Sequence, residues 1–384
     1  MKIEQVEFFH LDLRARAPHH QMIVVQVRTD AGLCGAGEIA MVYGDGAEGA
    51  LATARALAEK YLLGADPERP ELLWHTLMRK THWGLGRSVA VYGAMSAFDI
   101  ACWDIKGQAV GRPVHSLLGG KVRDTIKLYA NHWYGDATAP AQFAERAAET
   151  VAHGYQGLKF DPLRAQPKTG NGAAQYIDRA TARLGVERVR AVRAAIGPDR
   201  DLIIDLHGGP RATDAIRWCR EIEEFNPLFI EEPTDTLAVK PLQKIAAALR
   251  SPLAGGERLY TRQDFQPFLE AQVFDVIQPD ICLAGGFTEL RKIAAVADVY
   301  QVAVQPHNCA GPVCTAATVQ FVAATTNFFI QEWFPFWEDG RYAMVTAALE
   351  PQARSGYLTI GDAPGLGVTL DEDYLRPYRV ATVG

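Results

Sequence analysis

The sequence predicts an α/β fold, a modified (β/α)8 barrel joined to an α+β capping domain. Three observations predict it. From about residue 125 onward, eight short apolar runs alternate with amphipathic helical stretches. Seven successive runs each end on an ionisable residue. The first ~120 residues follow a different pattern, strands first and helices after.

Segments 2–13 and 22–29 (MIVVQVRT) alternate or run apolar like strands, and Asp30-Ala31-Gly32 makes a turn after the second. Helices are expected over 47–62, 70–80 and 88–109; the last places Ala90, Ala94, Ala97, Ala101 and Ile105 at helical spacing. The barrel strands are expected at 126–130, 156–160, 201–206, 227–231, 252–257, 273–278, 301–306 and 327–332. Between them, Leu290, Ile293, Ala294, Ala297 and Tyr300 form one apolar stripe, and Leu242, Ile245, Ala246 and Leu249 another. An open doubly wound sheet is the competing architecture, but no G-x-G-x-x-G turn follows the first strands. The expected units are a capping domain over 1–122, a catalytic barrel over 123–345, and a turn-rich tail, 346–384, that returns to the capping domain.

Composition is that of a globular protein: 48% hydrophobic and 22% charged, with a net charge of −6. Without a Lys/Arg run, no nucleic-acid partner is expected. No apolar run is long enough to span a membrane, and the start, Met1 to Gln5, does not read as a secretory leader. The expected location is the cytoplasm. The six cysteines then read as reduced, buried or idle thiols, and Cys309 with Cys314 gives only weak support for zinc.

The chemistry lies in the strand ends. Lys159 ends the second barrel strand, Asp205 and His207 the third, Glu231 the fourth and Glu257 the fifth. Asp280, His307 and Glu332 end the sixth, seventh and eighth. The spacings from Asp205 on are 26, 26, 23, 27 and 25 residues, about one βα unit each, so every unit delivers its group to the same rim. In such barrels the active site occupies the C-terminal ends of the strands. Asp205, Glu231 and Glu257 would repel one another if left alone, and a hard divalent ion with oxygen ligands answers this. Mg²⁺ is the natural candidate, with open positions for a substrate carboxylate and for the charge that develops as an alpha proton leaves. His307 can pair with Asp280 across neighbouring strand ends and act as the base. His207 shares the inward face of Asp205 and suits a second acid–base role.

These residues resemble a known family. IIDLHG, PLFIEEP, PLAGGERL, QPDICLAGGFTELRKIA and VQPHNCAGP match, in order, the barrel landmarks of the mandelate racemase subgroup of the enolase superfamily. The resemblance implies one Mg²⁺ per subunit on Asp205, Glu231 and Glu257, a His307–Asp280 dyad, and Glu332 bonded to the substrate carboxylate. Within the subgroup the likeness is strongest to galactonate dehydratase-type acid-sugar dehydratases, in which the histidine matched by His207 protonates the departing hydroxyl. Racemases of the subgroup carry two lysines as K-x-K; here Asp161 stands in the second place, so racemisation is not expected. Lys159 is expected to bind substrate or assist electrostatically. The implied reaction is dehydration of a small sugar acid to a 2-keto-3-deoxy acid, by a homo-oligomer of two to eight subunits. An epimerase or lactone cycloisomerase on the same scaffold is the alternative, and a non-catalytic metabolite-binding barrel a remote one.

Substrate specificity is expected from loops. Candidates are Arg16 to His20, Tyr43 to Gly46, Trp83 with Arg87, Asn131 to Tyr134, and Trp333 with Trp337. Of these, His20, Tyr43, Asn131 and Trp333 are the expected substrate contacts.

Overall fold

The computed structural model describes residues 1–14, 20–40, 46–163, 176–337 and 340–384, leaving aside the side chains of 82 and 83. Strands β1 (Ile3–Asp12) and β2 (Gln21–Thr29) pair antiparallel, with Phe8 opposite Val25. A third strand, β3 (Cys34–Ile39), pairs with β2 and was not expected from the sequence. Its glycines hide it, because glycine lowers strand propensity. They are there for packing. A Cβ on Gly35 would strike the carbonyl of Ala101, and one on Gly37 that of Ala97. Both carbonyls belong to a long helix that crosses the sheet.

That helix is α3 (Val89–Ala109), preceded by α1 (Ala47–Leu57) and α2 (Pro70–Lys80). It is buried almost all round, because the sheet covers one side and the barrel another. A short α4 (Val114–Leu117) leads into the barrel.

The barrel runs β4 (Thr125–Ala130), α5 (Pro140–Ala152), β5 (Gly157–Phe160), α6 (Arg179–Ile196), β6 (Asp201–Asp205), α7 (Ala212–Ile222) and β7 (Phe229–Glu231). It continues with α8 (Val239–Ala246), β8 (Leu253–Gly255), α9 (Arg262–Glu270), β9 (Val276–Ile277), α10 (Gly286–Val299), β10 (Ala303–Val304), α11 (Pro312–Ala323) and β11 (Gln331–Trp333). Neighbours pair in parallel from β4 to β10, and β11 pairs with β4. A bridge between Val304 and Phe328 closes the ring. Among the described residues, eight strands therefore carry seven helices. Where an eighth helix would stand, the described chain makes a 3₁₀ turn (Arg341–Met344) and β12 (Val345–Thr346).

The tail divides. β13 (Tyr357–Thr359) adds antiparallel to barrel strand β4, a pairing not expected from local pattern. β14 (Thr369–Leu370) pairs with β12, and after α12 (Glu372–Leu375) strand β15 (Arg379–Val383) pairs with β1. No described helix is long and apolar enough to cross a membrane.

Two features of this frame position the site. Inside the ring, Tyr129, Ile203, Phe229, Ala254, Val276 and Ile330 form an apolar plug. Side chains alternate along a strand, so Asp205 and Glu231, two residues beyond Ile203 and Phe229, point inward one layer higher. Buried carboxylates of the first domain also cap barrel helices. Glu38 accepts from the backbone N–H groups of Gly311 (2.6 Å) and Cys314 (3.0 Å) at the start of α11. Asp99 accepts from Thr288 (3.0 Å) at the start of α10. The first N–H groups of a helix have no partner within it, so these acceptors satisfy them, and both helices directly follow site-bearing strands.

Candidate active site

Lys159 ends inside the ring among three carboxylates. Its Nζ lies 2.6 Å from Glu231 Oε1, 2.9 Å from Glu332 Oε1 and 3.1 Å from Asp205 Oδ2. All four side chains are buried. Burial raises the Glu231 carboxyl well above its ordinary range and Asp205 raises it further, against the pull of Lys159. Burial disfavours the Lys159 ammonium, but Asp205, Glu231 and Glu332 outweigh it and hold the group firmly charged. Burial likewise opposes ionisation of Glu332, yet Lys159 and His307 keep its carboxyl low. Like charges thus crowd a place where one ammonium is shared among three acids.

Glu257 stands on the far side of this group. Its Oε2 is 3.6 Å from His307 Nε2, and its Oε1 is 2.9 Å from Arg258 Nη2. His307 donates from Nδ1 to Asp280 Oδ2 at 2.7 Å, the carboxylate being fully buried. That bond turns Nε2 toward the carboxylate cluster. Burial alone would lower the affinity of His307 for its proton, but Cys309, Glu257 and Asp280 raise it well above the ordinary imidazole value. At the other end of the cluster His207 presents Nε2 to Asp205 Oδ2 at 3.5 Å and Nδ1 to Asp161 Oδ2 at 3.3 Å. Burial disfavours its charged form, and Asp205 and Asp161 more than reverse this.

The expected dyad, the lysine and the carboxylates of the strand ends are therefore brought to one rim, with a histidine at each end. The donor set suits a divalent cation that prefers oxygen: three acids from consecutive strands, with Glu231 disfavoured as a free anion. Among the described residues, Asp280, Cys282 and Cys314 are the group whose ligand atoms all lie within 4.8 Å of one another. That group is softer, and its carboxylate is already taken by His307.

The loop expectations fare unevenly. Asn131 donates to Glu332 Oε1 at 2.8 Å, so it reaches the site through that acid. His20 is buried, with Nδ1 2.6 Å from Arg341 Nη2 and its ring 5.1 Å from Trp337. Trp337 also meets His132 at 6.3 Å, so three separate segments form one aromatic group. Trp333 is fully buried in the main core. Trp133 and Tyr134 pack with Phe143 of α5 and with Phe160 of β5. Arg87 pairs with Asp264. Tyr43 and its neighbours 44 and 45, residues 16–19, and the side chain of Trp83 lie outside the described residues.

Several partners escaped the sequence reading. Gln278 donates to Glu231 Oε2 (2.6 Å) and to Gln305 Oε1 (2.7 Å). The Asn308 backbone N–H donates to Glu332 Oε2 (2.8 Å). The signal for both glutamines was present: each stands two residues before an ionisable strand end, hence on the same inward face.

Comparison with known proteins agrees with this geometry. Residues 142–374 match the enolase C-terminal domain-like family, and residues 9–119 match the mandelate racemase / muconate lactonizing enzyme N-terminal domain. The chain is 35% identical to a D-galactonate dehydratase of Xanthomonas oryzae over 98% of its own length and 94% of the relative's. It is 36% identical to the D-gluconate dehydratase of Thermoproteus tenax over 83% of its length, spanning 62% of that protein. A crystal structure of an enolase-superfamily member from Salmonella Typhimurium superposes with a TM-score of 0.93 at 34% identity, covering 100% of both chains.

Proposed function

Because the chain belongs to the mandelate racemase / muconate lactonizing enzyme family, we propose that it is a Mg²⁺-dependent sugar-acid dehydratase, a carbon–oxygen hydro-lyase. The observation that carries this reading is the pair of histidines at opposite ends of the carboxylate cluster, His307 beside Glu257 and His207 beside Asp205. One can take a proton while the other gives one. The names of the relatives make gluconate and galactonate the first substrates to offer.

Asp205, Glu231 and Glu257 would hold the ion, one per subunit, which when bound supplies positive charge against the substrate carboxylate. Lys159 and Glu332 lie beside these acids and would face that carboxylate. The Lys159 ammonium offsets charge gathering on its oxygens, and Glu332, fixed by Asn131 and Asn308, holds that ammonium in place. Nε2 of His307 removes the proton alpha to the carboxylate, while Asp280 stabilises the imidazolium that forms. The electron pair left on the alpha carbon forms the new double bond to the beta carbon. The beta C–O bond breaks, and His207 delivers a proton to the departing hydroxyl, which leaves as water. The enol product becomes a 2-keto-3-deoxy acid.

The test is a panel of mono- and di-acid sugars offered with Mg²⁺ and assayed for 2-keto acids. Keto-acid formation from at least one aldonic acid is expected. Epimer or lactone without keto acid would replace this reading.

A further inference from the structure

The His207 side of the site holds a carboxylate for which the reaction above has no role. Asp161 follows β5 directly, two residues beyond Lys159 and on the same inward alternation. Its Oδ1 accepts from the Leu163 backbone N–H at 2.9 Å, a local turn that fixes the carboxylate. Its Oδ2 lies 3.3 Å from His207 Nδ1. The other ring nitrogen, Nε2, faces Asp205 and the cluster at 3.5 Å.

The backbone of His207 is set separately. Its φ is 49°, in the left-handed region, and Gly208 follows at 66°. The His207 N–H donates to Asp205 Oδ1 (3.0 Å), and the Gly208 N–H to the carbonyl of Glu232 (2.9 Å). Strained backbone of this kind persists only where neighbours hold it, and it gathers at functional sites. These contacts place the Cα–Cβ bond but leave the ring free to rotate. Among the described residues, Asp161 is the side chain that faces Nδ1.

Resting on the reading of His207 as the proton donor to the leaving hydroxyl, we propose that Asp161 is its positioning residue. It accepts from Nδ1–H and thereby aims Nε2 at the substrate. The site then contains two His–Asp pairs, His307–Asp280 and His207–Asp161, one at each end of the metal ligands. Asp161 occupies the position at which the subgroup's racemases carry a second lysine, so a residue that would have been a base instead steers an acid.

The experiment compares Asp161→Asn and Asp161→Ala with wild type in deuterated solvent on one active sugar acid. It measures both keto-acid formation and alpha-proton exchange into recovered substrate. For Asp161→Asn, kcat for dehydration should fall roughly 10- to 100-fold, the loss expected from a reacting group out of line. KM and the exchange rate should hold within about threefold, so the ratio of exchange to dehydration rises. The double variant with His207→Asn should be no slower than His207→Asn alone. An unchanged kcat, or exchange and dehydration falling together, would overturn the proposal. A wild type inactive on every sugar acid defeats the dehydratase reading instead. The ring is then read directly: the nitrogen-15 resonances of His207 should show a bonded Nδ1–H in wild type that Asp161→Ala loses, and its absence from wild type overturns the positioning role.

Discussion

The two ends of the site are built differently. His307 is bound to a fully buried Asp280 at 2.7 Å, its side chain 14% exposed, and it follows a strand end with ordinary backbone. His207 meets Asp161 at 3.3 Å, is 45% exposed, and sits on left-handed backbone. The His307 end is also tied to the first domain, since α11, which begins just beyond it, is capped by Glu38. A base that attacks a weakly acidic C–H needs its lone pair fixed before substrate arrives. A donor to a hydroxyl meets a group that brings its own hydrogen bonds, and it tolerates a looser seat.

If that comparison is right, the largest effect comes at the rigid end. His307→Asn should abolish both alpha-proton exchange and dehydration, each by on the order of 10⁴-fold or more, as read by nuclear magnetic resonance in deuterated solvent. Exchange surviving in this variant would move the base elsewhere. Removing divalent cations with a chelator should silence both ends together, with activity returning on Mg²⁺ addition; full activity after exhaustive chelation would break the metal assignment. His207→Asn should lower dehydration by about 10²–10⁴-fold while exchange persists, which separates the two ends kinetically. Equal loss of both would show that they act as one unit.

The smallest effect concerns the tie to the first domain. Burial pushes the Glu38 carboxyl up to about 7, against the pull of the two backbone N–H groups. The folded state therefore favours its neutral form. The stability this contributes is fully present below the unfolded value near 4.5 and is lost as pH rises through about 7. The loss amounts to on the order of 3 kcal/mol. Glu38→Gln should flatten the fall of the unfolding free energy between pH 5 and 7, measured by urea titration. A slope equal to wild type would assign the dependence to Asp99, raised to about 7 chiefly by burial, or to other groups.

Much of this was legible in the sequence, for one reason. A βα unit has a nearly fixed length, and a strand has period two, so inward-facing ionisable ends recur at intervals that can be counted. That sufficed for Lys159, Asp205, Glu231, Glu257, Asp280, His307 and Glu332. It failed at β3, where Gly35 and Gly37 look like loop but fit against α3.

The sequence by itself determined the alternation of strands and helices, the order of the ionisable ends and the kind of chemistry they can perform, because these depend on local spacing and side-chain type. Only the tertiary structure decided which groups touch. The meeting of Asp161 with His207 joins residues 46 apart, and that of Glu38 with Gly311 joins residues 273 apart. Such contacts depend on how the ring closes and how the first domain is seated, and no local period records either.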